Sequence, residues 1–194
     1  AADVTPEACR DLHRRGLKVQ ARALGGDDRP EVWDRVAAAG ADRVLTGRAG
    51  VFVARAILRK LPPGRVRISH HRGASQYAPE NTLPALEESV ALGADFVEFD
   101  VRTTRDGGLV LMHDGSLDRT TDGHGPVKNK TSAEIRALDA GSWFGRPYIK
   151  TPVPTLDEFL AAAGRRVGLY FDAKDITPEV LAASLERHGL TDRA

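Results

Sequence analysis

The stretch from Asp95 to Thr104 constrains this chain more than any other. Read as a strand, its alternation puts Glu98 and Asp100 on one face and Val97, Phe99 and Val101 on the other. The apolar back has to be covered by helices or by a second sheet. The front carries two carboxylates about 7 Å apart along the strand, and these need a cation or a counter-charge. Asp106-Gly107 follows as a two-residue hairpin signal. A turn centred there places His113 directly opposite Asp100, so an imidazole joins the two acids on one sheet face.

The flanking segments read as alternating helices and strands. Thr5-Pro6-Glu7 starts a helix that Gly16 stops, and Leu17 to Leu24 reads as a strand. After the Gly25-Gly26-Asp27-Asp28 turn come a helix from Pro30 to Ala39 and a strand from Ala41 to Thr46. This order is that of a parallel sheet covered by helices. A helix over Val51 to Leu61 is closed by Pro62-Pro63-Gly64, the strongest internal boundary in the chain. Val66 to Ser69 then opens a strand that runs into His70-His71-Arg72-Gly73, and Asn81 or Thr82 caps a helix ending at Gly93. Leu117 to Lys130 reads as a long polar loop forming part of a binding surface. Ser132 to Leu138 reads as a short helix and Thr155 caps another. Gly168 to Ala173 is a strand bearing Asp172, with Lys174 beyond it, and Thr177-Pro178 starts the last helix.

Composition excludes several classes. With 28 basic and 27 acidic side chains the net charge is +1, so no whole-molecule field draws the chain to nucleic acid. Any anion must be held by a local site. The single cysteine, Cys9, rules out an internal disulfide framework. No apolar run reaches the roughly eighteen residues that a spanning helix needs. The compartment, cytoplasmic or exported, stays open.

His71-Arg72-Gly73, Pro79-Glu80-Asn81-Thr82, Glu98-Phe99-Asp100-Val101, His113-Asp114, Arg119-Thr120-Thr121, Gly141-Ser142-Trp143-Phe144 and Val153-Pro154-Thr155-Leu156 form an ordered series. Together they resemble the glycerophosphodiester phosphodiesterase family. The resemblance implies an α/β fold of (β/α)8 TIM-barrel type. It also implies hydrolysis of glycerophosphodiesters to glycerol 3-phosphate and an alcohol, with a divalent metal, calcium, magnesium or manganese. It makes His71 and His113 the catalytic acid and base pair and Glu98 and Asp100 metal ligands, and it places Arg72 and Lys174 on the substrate phosphate. Asp172 stands where the family has a glutamate, so the third ligand is a methylene shorter, and Glu80 is a further candidate ligand. Trp143 and Phe144 are candidates for the pocket wall. By the same analogy a glycerol hydroxyl attacks phosphorus to give a cyclic phosphate that water opens.

The pieces are out of family order. Residues 1–62 resemble the C-terminal part of such a barrel, and residues 63–194 its N-terminal part with the active-site motifs. Five barrel-type strands are legible where a whole barrel has eight in roughly 250 residues, so the barrel is incomplete or permuted. A clipped pair of tandem barrels is preferred to a permuted chain, because an unclosed barrel leaves two edges bare. Self-association or a second barrel would complete the fold. Two other functions remain: a related lipid or sugar phosphodiesterase, and a non-catalytic barrel that binds phosphoesters.

Overall fold

The structure, a computed structural model, describes residues 4–52 and 67–194. The helix expected over Val51 to Leu61 begins within it, since residues 49–52 are helical. The rest of that helix, the Pro62-Pro63-Gly64 boundary and the start of the next strand at Val66 lie outside the described residues.

The chain runs α1 (Pro6–Arg14), β1 (Gln20–Arg22), α2 (Pro30–Ala39), β2 (Arg43–Thr46), β3 (Arg67–His70), α3 (Leu83–Ala91), β4 (Phe96–Thr103), β5 (Leu109–Leu111), α4 (Ser132–Arg136), α5 (Leu156–Ala163), β6 (Gly168–Ala173) and α6 (Pro178–Arg187). Local signals account for the boundaries. Thr5 caps α1 through Ala8 N, Thr82 caps α3, and Thr131 and Thr155 close capping boxes with Glu134 and Glu158. Gly40 ends α2 in the left-handed conformation that lacks a Cβ penalty.

Five strands run parallel in the spatial order β1-β2-β3-β4-β6, with β5 antiparallel to the end of β4. The two N-terminal strands therefore pack directly beside the strand that leads to His71, in register Val44 to Ile68 and Leu45 to Ser69. Apolar faces point to the helices on the outside. Val97, Phe99, Val101 and Leu169 meet Leu86, Phe159 and Leu160 in one core. Ala21, Val44, Trp33, Val36 and Cys9 form a second core under α1 and α2. The inner face of the arc carries the polar residues.

The hairpin differs from expectation by one residue. Val101 pairs with Leu111 and Thr103 with Leu109, so the projected register places His113 opposite Phe99 and not Asp100. The loop holds three residues instead of two. Thr104 N donates to Gly108 O, Gly107 N donates to Thr104 O, and Gly107 takes φ +78°, the extra left-handed position of a bulged hairpin. His113 still reaches the inner face, because β5 ends at Leu111 and Arg102 pulls the chain round by donating to the His113 carbonyl at 2.7 and 3.0 Å. The loop after it, expected as binding surface, packs Leu117 and Val127 into a small core of its own with Ile135 and Val153.

Candidate active site

β4 presents Glu98 and Asp100, only 3% and 1% exposed, to the inside of the arc. Parallel pairing sets Asp172 of β6 beside Asp100 and Tyr170 beside Glu98. Oxygens of Glu98, Asp100 and Asp172 then lie within 4.8 Å of one another. Burial pushes the Glu98 carboxyl up to about 7, and the negative charges of Asp100 and Asp172 add to it. Asn81 clasps Asp100 twice, donating from Nδ2 to Oδ2 at 2.9 Å and accepting from the Asp100 amide at 3.1 Å. Among the described residues Asp100 Oδ1 receives no well-directed hydrogen bond, and the Lys174 ammonium lies 3.0 Å from it. Lys174 also pairs with Asp172. The site is a set of hard oxygen donors with incompletely neutralised charge, which suits a divalent cation.

The turn after β3 brings the next groups in. Gly73 sits at φ +76°, and a Cβ there would lie 2.6 Å from the Ala85 Cβ, so only glycine lets the turn rest on α3. Arg72 adopts φ +54°, an uncommon conformation for a side-chain-bearing residue and of a kind that gathers at functional sites. Its amide donates to Glu98 Oε2 at 2.7 Å, its Nη1 donates to Glu80 at 2.9 Å, and its Nε lies 3.5 Å from Asp100. His71 lines the hollow with its pKa pushed down to about 4, by burial first and then by the positive charges of Arg72 and Arg22. Its neighbour His70 is 2% exposed, lies outside the hollow and has no hydrogen-bond partner on either ring nitrogen among the described residues.

His113 is held from behind. Its Nδ1–H donates to Asp114 Oδ1 at 2.7 Å, which leaves Nε2 as the free nitrogen. Arg119 donates to both oxygens of Asp114 and, through Nη1 and Nη2, to both oxygens of Glu80 at 2.9 and 2.8 Å. These bonds hold the Glu80 and Asp114 carboxyls below the ordinary carboxylate range despite their burial. One guanidinium thus ties the β3 turn to the β5 arm.

His71, Glu98, Asp100, His113, Asp172 and Lys174, all anticipated from sequence, line one hollow of about 100 Å³. A single water needs roughly 10–15 Å³ of such space. Glu80 and Arg72 stand just behind it, bound to each other, and Glu80 lies outside the three-carboxylate group. Trp143 and Phe144 do not line the hollow; Phe144 stacks edge to face with Trp143 on one side and with Tyr148 on the other. Gln20, Arg22, Leu45 and Tyr170 also line the hollow and were not anticipated. Tyr170 was legible, since it sits two residues before Asp172 on the same strand face. The other three depend on where β1 and β2 pack, which strand order along the chain does not specify.

Residues 71–190 match the glycerophosphoryl diester phosphodiesterase family. A glycerophosphodiester phosphodiesterase of Bacillus subtilis is 44% identical over 143 residues, 67% of this chain and 49% of the relative. The chain spans about half the length of the curated relatives it matches. Among solved structures, a glycerophosphodiester phosphodiesterase from Agrobacterium tumefaciens superposes with a TM-score of 0.64 at 42% identity, covering 66% of this chain and 55% of that one. A phosphodiesterase from Oleispira antarctica, solved in complex with its product sn-glycerol-3-phosphate, superposes with a TM-score of 0.60 at 37% identity, covering 63% of this chain and 52% of that one.

Proposed function

From the premise that the chain belongs to the glycerophosphoryl diester phosphodiesterase family, we propose that it hydrolyses glycerophosphodiesters to glycerol 3-phosphate and an alcohol with the help of a divalent cation. The observation that carries this reading is the convergence of three carboxylates, two imidazoles and a lysine on one hollow. Glu98, Asp100 and Asp172 would hold the cation, and their all-oxygen donor set suits calcium, magnesium or manganese. When bound, the cation neutralises charge on the phosphate and fixes its orientation. Glu80 would reach it only by giving up Arg72 or Arg119, so we assign Glu80 the part of organising the site.

The remaining steps belong to the chain's own side chains. We assign the non-bridging phosphate oxygens to Lys174, which lines the hollow beside Asp100, as a point charge, and to Arg72, whose Nε lies 3.5 Å from Asp100 behind it, by its fork. His71 and His113 act as the acid and base pair: one takes the proton of the attacking hydroxyl, the other gives one to the leaving oxygen. Asp114 fixes which nitrogen His113 offers, because Nδ1–H is spent on that carboxylate.

The test is to identify the products formed from glycerophosphocholine in the presence of manganese. Glycerol 3-phosphate with choline is the expected outcome. Glycerol with phosphocholine would contradict the reading, as would the absence of turnover. A lipid phosphodiester is a second candidate substrate, favoured by the exposed Tyr77, Trp143 and Ile149, whose loops are bridged by the Tyr148 hydroxyl donating to Tyr77 O. Faster turnover of a lysophospholipid than of glycerophosphocholine would support that alternative.

A further inference from the structure

The family match begins at residue 71, yet β1, far upstream of it, lines the same hollow as the motif residues. β1 and β6 stand at the two ends of the parallel arc, so the arc curls far enough for its first and last strands to share one pocket. Pairing of Arg22 with Leu45 puts both side chains on the inner face, and Gln20 lies two residues earlier on that face.

Two features of β1 distinguish it from an ordinary barrel wall. Arg22 makes no hydrogen bond or ion pair among the described residues, whereas Arg72 is bound to Glu80 and Lys174 to Asp100 and Asp172. The Gln20 Oε1 atom is buried and receives no hydrogen bond among the described residues. A buried acceptor left unsatisfied is destabilising, so the amide position calls for a donor. A free guanidinium beside an unsatisfied amide oxygen suits a hydroxyl-bearing group, which can donate to Gln20 and accept from Arg22. A quaternary ammonium offers neither bond, and Arg22 repels it.

We propose that β1 provides the subsite for the alcohol half of the substrate, and that Arg22 and Gln20 make it select polyhydroxylated or anionic alcohols over cationic ones. This rests on the phosphodiesterase reading above and adds the leaving group's chemistry to it. The positive charge of Arg22 is also felt at His71, which supports its closeness to the reacting groups.

The test compares glycerophosphoinositol with glycerophosphocholine in the wild-type full chain and in Arg22→Glu, Arg22→Lys and Gln20→Leu. It reads both kcat/KM and, by titration, Kd. Arg22 is exposed, so its variants should fold as the wild type does. Wild type should favour the inositol diester. Gln20→Leu should cut the preference about fivefold, Arg22→Glu should cut it about tenfold or more through gained affinity for choline, and Arg22→Lys should keep most of it. A preference ratio unchanged by Arg22→Glu, or a wild type that favours the choline diester, overturns the inference. Wild-type binding without turnover of either diester refutes the hydrolase reading, while the ratio of dissociation constants still decides this one.

Discussion

His70 and His71 are neighbours in sequence with opposite surroundings: one is packed away without a hydrogen-bond partner among the described residues, the other faces the hollow. Burial pushes the His70 pKa down to about 4 from an ordinary 6.5. The unfolded chain takes up a proton as pH falls through 6.5, while the folded chain resists until about 4. Stability is therefore full above that window and lost on the way down, by up to about 3 kcal/mol for a fully buried imidazole. His70→Leu should leave stability at pH 8 within about 1 kcal/mol, since it removes two unsatisfied nitrogens. It should also flatten the loss between pH 6.5 and 4, which urea unfolding across that range measures. A steeper loss in the variant would show that His70 was charged in the fold. His71 adds to the same window, while Glu98, raised to about 7 by burial, works against it. Of the two, sequence singled out His71, because Arg72-Gly73 follows it directly.

At the scale of elements, the site is built where strand ends meet turns. Alternation along β4 fixed which side Glu98 and Asp100 face, and β6 brought Asp172 into line by parallel register. The facing of Glu98 and Asp100 was readable from the chain, as was the outward placing of Val97, Phe99 and Val101, whereas Asp172 was marked by the family resemblance and its register with Asp100 was not. The hairpin register was not, because Asp-Gly fits a two-residue turn and a bulged three-residue loop equally well, and only the φ of Gly107 separates them. Nor was the reach of Arg119, which binds Asp114 five residues away and Glu80 thirty-nine residues away at once. Arg119 acts through others, positioning Asp114 behind His113 and Glu80 behind Arg72. Arg119→Met should lower kcat about ten- to a hundredfold with KM changed less than threefold, and it should displace the pH profile of kcat. Arg119→Lys should recover little, since one ammonium cannot serve two carboxylates at both oxygens. A normal pH profile in Arg119→Met would reduce its part to loop stability.

For the molecule as a whole, the parallel α/β rhythm and the TIM-barrel type were legible, and the structure is an arc of that barrel. What sequence order left open was the neighbour of β3. The chain presents β1 and β2 first, and a resemblance to a barrel's tail does not say which barrel. Here Leu45 aligns with Ser69 in one continuous sheet, so the N-terminal strands complete the wall of the very hollow that the downstream motifs line. Among the described residues β1 pairs only with β2, and β6 only with β4. The account stands on that shared hollow accepting a cation between strands that are far apart in the chain. Calorimetric titration of manganese into metal-stripped protein, with Asp100→Asn and His113→Ala in parallel, tests it most directly. One ion per chain should bind, and more tightly as pH rises through about 7, where Glu98 gives up its proton. Asp100→Asn should weaken binding roughly a hundredfold or more, while His113→Ala keeps the wild-type affinity and loses turnover. Affinity equal in wild type and Asp100→Asn, or no saturable binding at all, would contradict the account.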